Sequence, residues 1–374
     1  MMDTVDKSKK SKTIPDYSAI AHQHDPRVVR AARPVVRWIV EKNFAELEFE
    51  GTQEALAIKN LPKFYLAQHW SYWDTILIPY GLHMVDPDML PMIGAGSNLP
   101  LKFILRRLGA FMIARNGTGY INEEGLRTIK GYMTQMLIDG KSELLFPGWC
   151  KNKDVKKTGR SFNGSHQELT SLAFRSVQDA SEQGTDTHLI AVNEIYDRVP
   201  EDNEILALIE WKAKLPRLQG MMYTIDFPRT FRPRLPQSRR SALIMFGKPH
   251  SFSELRETMT VGKIRKFYEK EIRDLYRPTA LDISCAAVSM CGEKQSYNRK
   301  DVTEAEYAII DRLTKQGVKF FSVSSDIKDL EERVQQIAPD ILRFRGDQVE
   351  VMHKELLTFY SNRISHLLPE SSDT

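Results

Sequence analysis

The sequence predicts an α/β fold built on a central mixed, largely parallel sheet flanked by helices, and two observations carry that expectation. Short apolar runs alternate with longer stretches of helical periodicity, the order that builds a sheet covered by crossover helices. One run, Phe64-Tyr65-Leu66-Ala67, leads almost directly into His69 on a loop that precedes a further apolar segment. In α/β folds, side chains delivered there stand at the carboxyl edge of the sheet, where ligands bind.

Taken in order, residues 1–24 are polar and charged and read as a flexible arm. Asp25-Pro26 starts a helix in which Val28, Val29, Ala32, Val35, Val36 and Ile39 recur at helical spacing among Arg27, Arg30, Arg33 and Arg37. This basic amphipathic helix suits either a packing face with solvated arginines or contact with anionic headgroups. Strands are expected near residues 47–51, 64–67, 91–94, 111–114, 143–147, 188–192 and 242–246. Helices are expected at 99–108, 123–139 and 166–181, the second stopped by Gly140. Residues 212–240 mix eight Lys and Arg side chains with Met221, Met222, Phe227 and Phe231; such a segment fits an anionic membrane interface, a solvated loop or a phosphate-binding edge.

Beyond Phe267 the chain reads as mainly helical. Thr303 to Glu306 has the form of a capping box, with Val302 and Tyr307 spaced for a hydrophobic staple. Further helices are expected from Ser325 to before Pro339 and over 347–367. The domain reading is an arm at 1–24, an α/β domain with its N-terminal helix at 25–274, and a C-terminal helical region packed on that core at 275–374.

A chain of 374 residues can bury a sizeable core. Its net charge of +4 and the absence of a recognisable binding motif argue against nucleic acid as a partner. Three cysteines, Cys150, Cys285 and Cys291, make neither a disulfide framework nor a zinc site, so no metal is implied and a reducing compartment is expected. The first residues show no apolar signal region, and no apolar run approaches the roughly 18 residues of a spanning helix. Work on lipid would therefore be done from the membrane surface, as a cytoplasmic, peripherally bound protein.

Gln68-His69-Trp70-Ser71-Tyr72-Trp73-Asp74 carries the chemistry. Ser71 fits a helix N-cap and Asp74 the answering acidic position three residues later. If His69 sits on the preceding turn, the carboxylate can reach back to one ring nitrogen and orient the other as a general base. A histidine beside an aspartate is also a common structural pair, so the remaining blocks matter. They are Gly109-Ala110-Phe111-Met112-Ile113-Ala114-Arg115, Phe146-Pro147-Gly148 with its basic tail, and Ile195-Tyr196-Asp197-Arg198-Val199-Pro200-Glu201.

In this order the blocks resemble the glycerolipid acyltransferase superfamily with its His-(four residues)-Asp signature. The last block resembles most the glycerol-3-phosphate and dihydroxyacetone-phosphate acyltransferase branch, to which Phe246-Gly247-Lys248-Pro249-His250-Ser251-Phe252 and the final helix are also similar. The resemblance implies transfer of a fatty acyl group from a thioester, acyl-CoA or acyl carrier protein acting as co-substrate with no cofactor, to a hydroxyl of glycerol 3-phosphate or a relative. It implies His69 and Asp74 as the catalytic pair and Arg115 as a phosphate ligand; Lys151 and Arg160, in the basic run after the Phe146 block, are candidates for further phosphate-binding charge, with Arg160 in a stretch similar to the end of the family's block. One block departs from the pattern. The family has Phe-Pro-Glu-Gly, whereas here Phe146-Pro147 runs straight into Gly148-Trp149-Cys150, so the glutamate is missing. Lysophospholipid acyl transfer and a catalytically degenerate lipid-binding role are the alternatives this leaves open; metal-dependent hydrolysis is more distant.

Overall fold

The computed structural model describes residues 17–71, 73–96, 102–113, 123–146, 165–202, 240–324 and 326–368. The main sheet holds β1 (Phe44–Glu50), β2 (Lys63–Ala67), β3 (Met92–Gly96), β4 (Ala110–Ile113), β5 (Glu143–Leu145), β6 (His188–Tyr196) and β7 (Arg240–Phe246), with the short β8 (His250–Ser251) against β6. Its order is β1-β7-β6-β2-β5-β3-β4. All neighbours are parallel except β6 with β7 and β6 with β8. The expected mixed, largely parallel sheet is thus present, and helices flank it: α1 (Pro26–Asn43), α2 (Thr52–Ala57), α3 (Asp74–Val85), α4 (Lys102–Arg107), α5 (Glu123–Ile138), α6 (Ser165–Glu182), α7 (Phe252–Thr258) and α8 (Val261–Asp274).

Every residue of β2 is buried, and after Lys63 the run Phe64-Tyr65-Leu66-Ala67 has the apolar character of a strand covered by helices on both faces. Side chains alternate between the faces. Tyr65 and Ala67 join Leu77 and Ile78 of α3 in one core. Phe64 and Leu66 join Ile129 and Met133 of α5 and Val177 of α6 in the other. At the end of β1, Gly51 adopts φ +76°, and a Cβ there would fall 2.0 Å from the Phe246 carbonyl oxygen. Only glycine fits that approach.

Residues 275–368 add α9 (Ala280–Met290), α10 (Arg299–Lys315), α11 (Ile327–Ile337) and α12 (Lys354–Arg363), and also a three-stranded antiparallel sheet of β9 (Ser296–Asn298), β10 (Leu342–Arg345) and β11 (Gln348–Val351). The single long helix expected over 347–367 is therefore a strand followed by α12. Gly346, at φ +54°, turns the chain between β10 and β11. The capping box expected at Thr303 is likewise displaced. α10 begins at Arg299 under Asn298, whose side chain accepts the Lys300 N–H at 2.9 Å. Thr303 lies inside the helix and donates to Glu331, while Tyr307 is exposed and makes no staple with the buried Val302. A capping box does form upstream, between Thr279 and Asp282 at the start of α9.

Part of the expected arm is tied down. The Met112 N–H donates to Ile20 O at 2.8 Å and the His22 N–H to Tyr132 Oη at 2.9 Å, and Ile20 is buried. Residues 212–239 lie outside the described residues. Arg240, the last of that basic run, is buried at the start of β7 and belongs to the sheet. Among the described residues no helix is long and apolar enough to cross a membrane.

Candidate active site

The His69 loop leaves β2 at the carboxyl edge of the sheet, with the Gln68 N–H donating to Val192 O of β6 at 3.3 Å. The Asp74 carboxylate gathers the turn around itself. Oδ2 accepts the Trp70 N–H at 2.7 Å and the Ser71 N–H at 2.8 Å, and lies 2.9 Å from His69 Nδ1. Oδ1 accepts the Tyr196 hydroxyl at 2.6 Å. Asp74 is fully buried, whereas 16% of the His69 side chain is exposed, so the ring reaches solvent while its partner does not. A carboxylate opposite Nδ1 places the proton on that nitrogen and makes Nε2 the lone-pair nitrogen.

Ser71 does not cap α3 directly. The helix begins at Asp74 with Trp73 in the cap position. Ser71 Oγ accepts the Trp73 N–H at 3.0 Å and donates to Glu201 Oε2 at 2.7 Å. The answering contact from Asp74 to the Ser71 N–H is present, so the expected reciprocity survives in a tight turn ahead of the helix.

Tyr196 reaches Asp74 because β6 outruns β2. Ala67, the last residue of β2, pairs with Val192, and β6 continues four residues further to Tyr196. That overrun spans about 13 Å at the strand rise, enough to flank the whole His69 turn. Asn193 Oδ1 takes the Trp70 indole N–H at 3.3 Å, and its amide donates to Ile272 O at 2.6 Å. Glu194, two residues before Tyr196 and fully buried, has no hydrogen-bond partner among the described residues for either carboxyl oxygen. Burial first, and the nearby Asp74 second, push this carboxyl well above the usual range, favouring its protonated form. Burial, Asp74 and Glu194 likewise hold the Tyr196 phenol well above its ordinary value, so it stays a donor.

The residues after Tyr196 fasten this edge to the C-terminal region. Arg198 Nε donates to Asp202 Oδ2 at 2.8 Å, and Nη1 donates to Asp340 Oδ1 at 2.5 Å. Burial works against its charge, but the bonds to Asp340 and Asp202 outweigh it and hold the guanidinium above its ordinary range. Asp197 pairs with Arg333 of α11. Tyr360 Oη of α12 accepts the Val199 N–H at 2.9 Å and donates to Asp202 Oδ2 at 2.7 Å. Arg363, buried 5.4 Å from the Trp70 ring centroid, donates to Tyr196 O at 3.2 Å and lies 3.5 Å from Asp282. The Ile195–Glu201 block, part of the resemblance drawn from the sequence, is a clamp behind Asp74.

Of the predicted site residues, His69 and Asp74 are brought together, and the Phe146 ring packs 4.6 Å from the His69 ring, tilted 33°. Arg115, Pro147, Gly148, Lys151 and Arg160 lie outside the described residues. β4 and β5, which precede them in the chain, run in the same direction as β2. Glu143 is remote from the site: it opens β5 opposite Phe64, buried with neither oxygen hydrogen-bonded among the described residues. Tyr196, Glu194, Glu201 and Arg363 received no role from the sequence. The available signal was polar Asn193 and Glu194 inside an otherwise apolar strand, since buried polar side chains need a partner or a task.

As a chemical unit, the pair can take a proton at Nε2 and hold the resulting imidazolium against a buried carboxylate. No family model matches the chain, and no curated protein matches it. Among solved structures the chain is similar to the crystal structure of the 1-acyl-sn-glycerophosphate (LPA) acyltransferase, PlsC, from Thermotoga maritima. The identity is 12%, covering 66% of this chain and 75% of that chain, with a TM-score of 0.33. The chemistry of the site therefore rests on its own residues.

Proposed function

We propose that the protein is an acyltransferase moving a fatty acyl group from an acyl thioester, on coenzyme A or acyl carrier protein, to a hydroxyl of glycerol 3-phosphate or a related glycerophosphate. The observation that carries the reading is the His69–Asp74 pair, whose carboxylate takes four hydrogen bonds while the imidazole keeps an exposed edge. Nε2 removes the acceptor's hydroxyl proton as its oxygen attacks the thioester carbon. The C–S bond then breaks, and the imidazolium returns the proton to the leaving thiolate, giving ester and free thiol. No covalent enzyme intermediate is required, because an oriented alcohol beside a good leaving group reacts directly. The Phe146 ring packs against the His69 ring beside this pair.

Arg115, Lys151 and Arg160 are assigned to the acceptor phosphate, a role suited to guanidinium and ammonium groups. Peripheral membrane contact is assigned to α1, whose Val35 and Trp38 are more than half exposed beside Arg33 and Arg37. The test is thiol release from acyl-CoA and from acyl carrier protein against glycerol 3-phosphate, dihydroxyacetone phosphate and lysophosphatidic acid, with products identified by mass spectrometry. A monoacylated glycerophosphate is expected. Preference for the lysolipid would move the acceptor to the lysophospholipid class, and absence of any acyl ester product would overturn the reading.

A further inference from the structure

A cleft of about 510 Å³ opens at the opposite edge of the sheet from His69. Arg30 and Arg33 of α1, Lys59 before β2, Lys63 at its first residue and Lys141 ahead of β5 line it, against a single lining carboxylate among the described residues, Asp88. Lys59 is partly neutralised by Asp86 at 3.5 Å. Arg30 and Lys141 form no ion pair among the described residues. Lys63 is the informative member. Its side chain is buried, and Nζ donates to Lys59 O and Leu61 O, each at 2.9 Å, which uses two of its three hydrogens. Burial pulls its ammonium down to about 8, the mark of a desolvated cation whose protein partners are neutral carbonyls.

Such a concentration of like charge around a concave site repels itself and is relieved by a multivalent anion. The other walls include Val29, Leu90 and Met92, so the ligand has room for an apolar part beside its charge. β2 carries the chain about 13 Å from Lys63 to Ala67 at the strand rise, and His69 lies on the loop beyond that far end. A small phosphorylated acceptor held here cannot present its hydroxyl to His69, so the cleft is separate from the proposed active site.

We infer that this cleft is a binding site for a phosphate monoester dianion, gripped by Arg30, Arg33, Lys63 and Lys141. The chemistry is shared by a phosphatidic acid headgroup, reached beside the exposed Val35 and Trp38 of α1, and by a free phosphorylated metabolite. The full-length protein is titrated with inorganic phosphate by calorimetry. Separately, it is floated with phosphatidylcholine vesicles with and without phosphatidic acid. Arg30→Glu/Lys141→Glu reverses two exposed lining charges, and Arg312→Glu/Lys315→Glu on α10 is the control for net charge. The cleft variant is expected to weaken phosphate or phosphatidic acid binding about tenfold or more, and the control about twofold or less, because only the first pair touches the anion. Displacement of the vesicles by phosphate assigns the site to the lipid; phosphate binding with no phosphatidic acid dependence assigns it to a soluble ligand. In the unmutated protein, bound phosphate is expected to protect Lys59 and Lys141 from an amine-reactive reagent, read by peptide mass spectrometry. Equal binding by both variants, no binding of either probe, or no protection at these lysines overturns the proposal.

Discussion

Tyr196→Phe removes one hydroxyl and leaves the buried ring in place, so it deletes the 2.6 Å bond to Asp74 Oδ1 without opening a cavity. Hydrogen bonds to a charged group contribute about 1.5–3 kcal/mol. The loss shows in two different observables. The folded state loses that amount, lowering Tm by roughly 3–12 °C at about 2–4 °C per kcal/mol for a chain above 150 residues. The carboxylate also loses a tether while it must hold an imidazolium, so kcat for acyl transfer falls about 10- to 100-fold, each 1.4 kcal/mol being a factor of ten. KM for the thioester stays within about twofold, because Tyr196 faces Asp74 and not the solvent edge. Thiol release and thermal unfolding measured on the same preparation separate the two. A lowered Tm with unchanged kcat would show that Tyr196 supports only the fold and would refute its link to the base.

Three further perturbations test the frame around the site. Arg363→Met leaves Asp282 buried without its guanidinium partner and removes the bond to Tyr196 O; breaking a buried pair in this way costs about 3–5 kcal/mol, and a loss under 1 kcal/mol in urea unfolding would contradict the clamp. Glu306→Gln addresses pH. Burial raises the Glu306 carboxyl to about 7, above its value in the unfolded chain, so its stabilising contribution is complete below about pH 4.5 and is lost as pH rises to 7. At 1.36 kcal/mol per unit this is roughly 3 kcal/mol. The variant's stability relative to wild type should therefore climb between pH 4.5 and 7 and then level; a flat difference would show that Glu306 does not retain its proton. Asp74→Asn exchanges an acceptor for a mixed amide where four donors converge, and acyl transfer should fall by about 10³- to 10⁴-fold; near-wild-type kcat would remove Asp74 from the mechanism.

The sheet was legible because its strands are short apolar blocks between helical periods. Phe64-Tyr65-Leu66-Ala67 reads as buried on both faces and is. The His69 turn was legible for the same reason as a helix cap: Ser71 and Asp74 stand at cap spacing, although the structure uses them one turn earlier. The hidden part depends on register. Nothing local in Tyr196 says that β6 runs four residues past β2, and only that overrun brings the hydroxyl to Asp74. Arg363 reaches Tyr196 O across 167 residues of chain, a distance over which periodicity carries no information. The misplaced capping box has a local cause. Thr303-x-x-Glu306 fits the pattern, but the apolar face through Val302, Ile309 and Leu313 extends the helix back to Arg299, and tertiary burial outweighs a cap contribution of about 1 kcal/mol.

The most direct measurement is single-turnover acyl transfer by His69→Ala, with folding checked by circular dichroism and thioester binding checked at equilibrium. Loss of a general base should slow ester formation by about 10²- to 10⁴-fold with binding retained. Ester formation at the wild-type rate in the folded variant would contradict the assignment of His69 as the base.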